Sequence, residues 1–339
     1  MSIQMTLVDY FMDNEQFTVQ EATNVVKNIK ELNVNDESIR ARIYEGVEKG
    51  IFEKLSRGIY KVSKTIDGID HNCLLVNGNG RDLSFVEDNS IDGIITDHPY
   101  DLTKSLDGGN RKFATYNRFK YNLKDFKEKF RVLKEGAFLV EFLPEESAEN
   151  YEYLYAIKQM AQECGFKYYA KVPWKKGTFV ANTGRKAKNT EDVVFFSKGE
   201  PRDLKLDTKK NIATARANGI YDKKFDSYAL RDILVKNGLA VSYMKGTSGM
   251  LPTVFDYQPR PKKEKVMEAE KPVELIEEII GYITKPYEVL LDQFAGSGNF
   301  ILACLNTNRY GIAIEADNEI FDKLKNNITN NECNLKEVA

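Results

Sequence analysis

From residue 73 onward the sequence predicts an α/β fold, an open sheet with helices on both faces, and residues 1–66 predict a separate small domain in front of it. Three observations carry this. Apolar, β-branched and aromatic runs bounded by turn residues alternate with stretches of helical period. The first 66 residues have another texture, two short helices followed by a hairpin signal. Residues 201–267 break the alternation with a polar, basic and weakly periodic stretch. The chain has 339 residues, 42% of them hydrophobic and 11% aromatic, which makes it globular, with room for two or three domains of ~100–200 residues each.

In the first domain, TVQEATNVVKNIK spaces Val19, Ala22, Val25, Val26 and Ile29 along one helical face, with Thr18 placed to cap it. Asn35 or Asp36 caps a second helix, ESIRARIYEGVEKG, with Ile39, Ile43 and Val47 on its apolar face. IFEKLSRGIYKVS then reads as two short strands around Ser56-Arg57-Gly58. Helix, turn, helix and hairpin resemble a winged helix-turn-helix with Arg40 and Arg42 on the recognition helix. Its charge is not basic, so a DNA-contacting role and a dimerisation or protein-docking role both stay open.

In the second part, CLLVNG, IDGIITD, GAFLVEFL, KYYAKVPW and DVVFFS read as buried strands. DFKEKFRVLKEG and ENYEYLYAIKQMAQECG read as intervening helices, each with its final glycine as a C-cap. After an insert with little sheet of its own, KPVELIEEIIGYI is an amphipathic helix with Pro272 in its first turn. YEVLLDQFAGSGNFILACLNTNRYGIAIEAD is strand, glycine-rich turn, helix and second strand, with Glu315 at that strand's end. The predicted divisions are 1–66, 67–200, 201–267 and 268–339.

Composition narrows the partners. No apolar run approaches the ~18 residues that span a bilayer, and the acidic N-terminal stretch lacks a signal peptide's basic region. Cys73, Cys164, Cys304 and Cys333 lie far apart with only His71 and His98 to join them, so neither a disulfide framework nor a metal site is expected. The expectation is a cytoplasmic, intracellular protein with no membrane partner. The near-zero net charge of −2 hides a segregation: −8 over residues 1–103, +6 over 104–135, −5 over 136–166, +12 over 167–267 and −7 over 268–339. A +12 excess over about one hundred residues suits a polyanion, most often nucleic acid.

Two motifs carry chemistry. Asp292-Gln293-Phe294-Ala295-Gly296-Ser297-Gly298 follows a buried strand and opens a helix. Glycines let a backbone approach a ligand, and an acidic residue ending the next strand holds a ribose hydroxyl pair. The run is neither GxGxxG nor followed by the Lys-Ser/Thr of a P-loop. Asp97-His98-Pro99-Tyr100 follows the strand IDGIIT. Asp97 and the carbonyl of residue 98 are acceptors for an exocyclic amine, Pro99 stiffens the backbone, and Tyr100 offers a face for a planar base. Such a tetrapeptide alone is a common turn; its place after a buried strand, beside the glycine turn, makes it a site.

These residues resemble an S-adenosylmethionine-dependent amino-group DNA methyltransferase of the permuted class, in which the catalytic motif precedes the cofactor motif. LDQFAGSGN resembles that family's LDPFAGSGT, DHPY its DPPY, and EKPVELIEEII its QKPVELIxxLI helix. IEADNEIFDKL matches IEIDPEYVEIA in length, NGRDLSFVEDNSIDGIITD resembles the approach to the catalytic strand, and RVLKEGAFLV resembles RVLKPGG. The resemblance covers residues 73–200 and 268–330. It implies a permuted Rossmann-like methyltransferase sheet, with residues 201–267 as a basic target-recognition insert.

Carried over by position, Asp97 and the His98 carbonyl would hold the target amine, Pro99 would shape the loop, and Tyr100 would stack on the flipped base. Phe294, Gly296, Ser297 and Gly298 would line S-adenosyl-L-methionine, with Asp292 near its methionyl amine, Glu315 on its ribose, and Asn79 where an acidic adenine-contacting residue is common. Lys271-Pro272 would open the helix that closes the methionyl end. Duplex DNA would meet Arg40, Arg42, Lys175 and Lys176, together with Arg111, Lys112, Tyr116 and Arg118 of the loop DLTKSLDGGNRKFATYNRFKY. That loop's aromatics, Phe113, Tyr116, Phe119 and Tyr121, suit either filling the space a flipped base vacates or packing on the core. Trp174 reads equally as core or as DNA-side.

His98 and Gln293 each stand where the family has proline. Position 98 would act through its backbone, and its imidazole is either incidental or a donor beside the target base. An acidic first residue in the tetrapeptide implies adenine N6. The alternatives are cytosine N4 on the same scaffold, RNA, and a non-catalytic DNA-binding regulator or subunit. As protein partners, a second copy and a cognate restriction or regulatory subunit stay open.

Overall fold

The computed structural model describes residues 3–11, 16–28, 35–48, 52–56, 58–62, 73–100, 118–177, 189–261, 263–267 and 269–336. The N-terminal part contains α1 (Ile3–Phe11), β1 (Phe17–Thr18), α2 (Val19–Asn28), α3 (Asp36–Glu48), β2 (Phe52–Ser56) and β3 (Ile59–Val62). The strands form an antiparallel sheet of order β1-β3-β2. Its own core joins Leu7, Phe17, Ala22, Val26, Ile39, Ile43, Phe52 and Tyr60. Thr18 and Glu21 cap α2 reciprocally: the Thr18 N–H donates to Glu21 Oε2 at 2.7 Å, and the Glu21 N–H to Thr18 Oγ1 at 3.2 Å. Asn35 caps α3, its Oδ1 accepting the Ser38 N–H at 2.8 Å. The sequence reading missed α1, whose buried face (Ile3, Leu7, Phe11) completes this core.

The remaining elements build the main body. They are β4 (Cys73–Asn77), β5 (Ile91–Thr96), α4 (Leu123–Val132), β6 (Leu133–Pro144), α5 (Tyr151–Glu163), β7 (Phe166–Lys175) and β8 (Thr190–Lys198). The inserted stretch adds β9 (Lys205–Leu206), α6 (Thr208–Ala217), α7 (Ser227–Lys236), β10 (Tyr243–Met244) and β11 (Phe255–Asp256). The chain closes with α8 (Val273–Ile283), β12 (Val289–Asp292), α9 (Asn299–Asn306), β13 (Tyr310–Glu315) and α10 (Asn318–Lys336).

Among the described residues the main sheet has eight strands in the order β11-β7-β8-β6-β5-β12-β13-β4. Strands β4, β13, β12, β5 and β6 run parallel, while β8 is antiparallel to both β6 and β7, so the sheet is mixed. All six residues of β5 and all four of β12 are buried, which is why they read as largely apolar runs, with Asp92 and Thr96 the polar residues of β5 and Asp292 that of β12. One core cluster packs α8 and α9 on one face; the other packs α4 and α5 on the opposite face. No helix among the described residues is long and apolar enough to cross a membrane.

Two expectations need correction, and one open reading is decided. Gly136 is not the C-cap of α4: the helix ends at Val132, β6 begins at once, and Gly136 (φ +74°) sits within the strand against Glu200 and Arg202. Pro272 is the N-cap of α8 rather than a first-turn residue. Trp174 is core, 2% exposed, its Nε1–H donating to the Tyr257 carbonyl at 2.9 Å. The insert, with only two-residue strands, also holds α6 and α7, packed through Ala215, Leu230 and Leu234 and capped by Asp207 and Asp226.

Candidate active site

The carboxyl ends of β4, β5, β12 and β13 open into one cleft of about 1060 Å³. Ligands of open α/β sheets bind at strand carboxyl ends, because loops there are free to diverge. Residues 79–81 follow β4, 97–100 follow β5, 292 and 294–297 end β12 and follow it, and 315–319 do the same for β13; all line the cleft. Strands β5 and β12 are neighbours, so the two motifs, nearly two hundred residues apart in sequence, face the same space.

The glycine turn is held by its own acids. Asp292 Oδ1 accepts from Thr96 Oγ1 and from the Phe294 N–H, each at 3.0 Å. Burial pushes the Asp292 carboxyl up to about 7, against those two hydrogen bonds. Glu315 Oε2 accepts the Gly296 N–H at 3.0 Å, and Oε1 the Asp317 N–H at 3.0 Å. Gly298 is left-handed (φ +81°) as the N-cap of α9, and a Cβ there would meet Leu324 at 2.9 Å. Gly298 and Pro272 shape the backbone but are not among the cleft-lining residues, unlike Asn79, Lys271, Asp292, Phe294, Gly296, Ser297 and Glu315.

Gln293, where the resembled family has proline, acquires a role here. Its Nε2 donates to the Gly80 carbonyl at 2.6 Å, tying the β4 turn to the β12 turn. The contact is so close that a Cβ on Gly80 would lie 1.8 Å from the Gln293 carbonyl oxygen. We expect Gly80→Ala to displace one of the two turns and lower the unfolding midpoint, a shift that differential scanning calorimetry reads directly.

Asp97 meets the cleft with its side chain 27% exposed, and Lys271 Nζ lies 2.5 Å from its Oδ2. The same ammonium is 3.2 Å from Glu191 Oε2, and Glu191 is also paired with Lys176. Burial pushes the Asp97 carboxyl up while Lys271 opposes that rise. The sequence reading missed Glu191 altogether and gave Lys271 only a helix-opening part.

The His98 imidazole is turned into the protein, its side chain inaccessible, so anything it offers a ligand comes from its backbone. Of the two open readings of the imidazole, a donor beside a bound base is thereby set aside. Its Nε2 lies 2.6 Å from the Tyr153 hydroxyl, and its ring lies 3.8 Å from that of Tyr121. Burial, then the nearby Lys129 charge, holds its pKa well below the ordinary value, so the ring is neutral. Beneath it Glu141 pairs with Lys129, both fully buried, and accepts from the Tyr121 hydroxyl at 3.2 Å. The Phe119 N–H donates to the Pro99 carbonyl at 3.1 Å. Phe119 packs between Arg81, 4.5 Å above its ring, and Phe294, at 5.5 Å. Tyr121 is buried and belongs to the packing that supports the site, whereas Phe119 packs there and also lines the cleft. Tyr100 lines the cleft, and burial raises its phenol.

The residues assigned to DNA scatter. Arg40 is exposed on α3, whereas Arg42 Nε pairs with Glu87 Oε1 at 2.6 Å. Arg118 lines the cleft. Lys175 pairs with Asp256 at 2.8 Å, and Lys176 with Glu191. Arg111, Lys112, Phe113 and Tyr116 lie outside the described residues.

Comparison with known proteins agrees with this geometry. The N6/N4 methyltransferase family profile, that of DNA methylases, matches residues 91–326. The type II methyltransferase M.HpaI of Haemophilus parainfluenzae is 27% identical over 248 residues, covering 72% of this chain and 69% of its own. The type II methyltransferase M.HindIII of Haemophilus influenzae is 39% identical over 67 residues, 19% of this chain and 22% of its own. Among solved structures, that of M1.HpyAVI with SAM covers 76% of this chain and 98% of its own, with 19% identity and a TM-score of 0.49. The family match spans both motifs and everything between them: the chain belongs to the N6/N4 amino-group DNA methylase family.

Proposed function

We propose that this protein transfers the methyl group of S-adenosylmethionine to N6 of adenine at a specific sequence in duplex DNA, after flipping the base from the helix. The observation that carries the reading is the juxtaposition of Asp97–Tyr100 and the Asp292–Ser297 turn across one cleft. The residues fit the cofactor. Asp292 is a buried carboxyl with no lysine or arginine paired to it among the described residues, the environment an ammonium would complete. Glu315 and Phe294 line the same cleft, which supports reading the first as a partner of ribose hydroxyls and the second as a face for a planar ring. When bound, S-adenosylmethionine supplies an activated methyl on a sulfonium centre.

The chain's own part is positioning. An exocyclic amine is a poor nucleophile because its lone pair is delocalised into the ring. Acceptance of its hydrogens by Asp97 and the His98 carbonyl favours a more tetrahedral nitrogen and aims the lone pair, and such charge placement accounts for most of a barrier reduction of this kind. Extruding the base costs on the order of a few kcal/mol, which stacking on Tyr100 offsets in part. The acidic residue at position 97 favours adenine. We read residues 1–66 as a winged helix-turn-helix, residues 67–200 and 268–339 as the two halves of a permuted catalytic domain, and residues 201–267 as the recognition insert.

The test is incubation with S-adenosylmethionine and mixed-sequence duplex DNA, followed by nucleoside mass spectrometry. N6-methyladenine is expected; N4-methylcytosine would move the substrate, and no methylated base would overturn the reading. Cofactor binding has its own signature. Asp292, at about 7 before binding, ionises when a cation settles beside it, so binding releases up to one proton at pH 6 and almost none at pH 8.5. Affinity therefore rises with pH up to about 7 and then levels. Calorimetry in buffers of different ionisation enthalpy measures the proton count, and Asp292→Asn should abolish it. If residues 167–267 supply phosphate contacts, log affinity for DNA falls with log salt by about 0.9 per contact. A flat response would remove duplex DNA as the partner.

A further inference from the structure

We propose that Lys271, held from behind by Glu191, is a positioning residue for the methyl transfer: it binds one oxygen of Asp97 and leaves the other for the target amine. The inference rests on the proposed reaction and adds two residues to it. Lys271 is 8% exposed and sits at the end of the chain segment that enters α8. Its backbone is fixed, because Asn299 Nδ2 donates to its carbonyl at 2.8 Å. Its ammonium lies 2.5 Å from Asp97 Oδ2 and 3.2 Å from Glu191 Oε2, over the rings of Phe142 and Trp174 at 5.3 and 5.9 Å. Glu191, 15% exposed at the start of β8, is held in turn by Lys176, one residue past β7. No hydrogen bond from a described residue engages Asp97 Oδ1.

A carboxylate in a half-buried cleft has two tendencies that oppose catalysis: it takes up a proton, and its side chain rotates. One ammonium gripped by two acids opposes both. The charge keeps Asp97 ionised, so that it accepts from the amine instead of donating. The second grip, on Glu191, keeps the ammonium from following Asp97 when a base enters. The other titratable groups facing Asp97 are Tyr100 of its own loop, Glu191 and Lys176, Glu141 of β6 and Asp292 of β12. Among the described residues, Lys271 is the cation in contact with Asp97.

The two partners shift Asp97 in opposite directions, and that separates positioning from packing. Lys271→Met removes the cation, so the Asp97 pKa rises by about one to three units. Glu191→Gln removes a like charge and leaves Lys271 to Asp97 alone, so the pKa falls. The measurement is a ¹³C-carboxyl NMR titration of the free protein, with the Asp97 signal assigned by its loss in Asp97→Asn. In parallel, the pH profile of kcat is recorded for each variant. Lys271→Met should move the acidic limb upward and regain activity at alkaline pH, and Glu191→Gln should move it downward. If Lys271→Met fails to fold, the downward shift in Glu191→Gln decides the matter. Unshifted titrations in variants that merely melt earlier would overturn the proposal. If the wild-type protein methylates no base, the proposed reaction falls, while the NMR titration still tests the grip on Asp97.

Discussion

Replacing Asp97 by alanine should lower the single-turnover methylation rate on the order of 10²–10³-fold or more, with DNA and cofactor binding nearly unchanged. Two features make the loss selective. The carboxylate reaches the cleft from the end of β5, and in the proposed reaction its hold on the target amine strengthens as nitrogen attacks, so removal should raise the barrier and leave ground-state binding alone. The fold tolerates the change because Lys271 keeps Glu191 as a counter-charge at 3.2 Å, so no isolated buried cation is left behind. Rapid-quench methylation of a duplex, with binding followed by fluorescence anisotropy, separates the two quantities. A variant that keeps more than about a tenth of the wild-type rate would show that the amine is held by other groups.

What the sequence disclosed of this site, and what it hid, follows from the range of the interactions. Strands β5 and β12 were legible because they are buried throughout, which favours largely apolar runs, and Asp97 and Asp292 were legible because each stands at the end of such a run. Glycine at 296 and 298 was legible because the left-handed backbone there admits little else. The partners of these acids were not. Glu191 opens a strand in the run NTEDVV, indistinguishable in one dimension from an exposed strand end, and meets Asp97 through Lys271, eighty residues further on. Helices α6 and α7 escaped because each buries only a few residues, too few to impose a period. Gly136 misled because a glycine after a helical run is usually a C-cap, and here the strand begins three residues before it. His98 reads as a loop residue, yet aromatics drawn from two separate segments, Phe119 and Tyr121 on one and Tyr153 on α5, close over it.

The same aromatics rest on a charge pair whose disruption gives the largest expected effect on stability. Lys129 of α4 and Glu141 of β6 are fully buried, and burial alone would push each toward its neutral form. They stay charged because each is the other's counter-ion, because Tyr121 donates to Glu141, and because the Lys129 ammonium lies 3.8 Å from the Tyr121 ring centroid. Lys129→Met strands the Glu141 carboxylate in the core and should cost about 3–5 kcal/mol. The double variant Lys129→Met/Glu141→Gln removes both charges but keeps an acceptor for the Tyr121 hydroxyl, and should regain at least half of that loss. Denaturant unfolding of the two single variants and the double variant yields the coupling energy. Because Tyr121 carries the His98 ring, Lys129→Met should also loosen the loop that follows β5 and lower methylation more than cofactor affinity. A single variant within about 1 kcal/mol of wild type would mean that water or a shifted side chain satisfies Glu141, and that the catalytic loop does not depend on this pair.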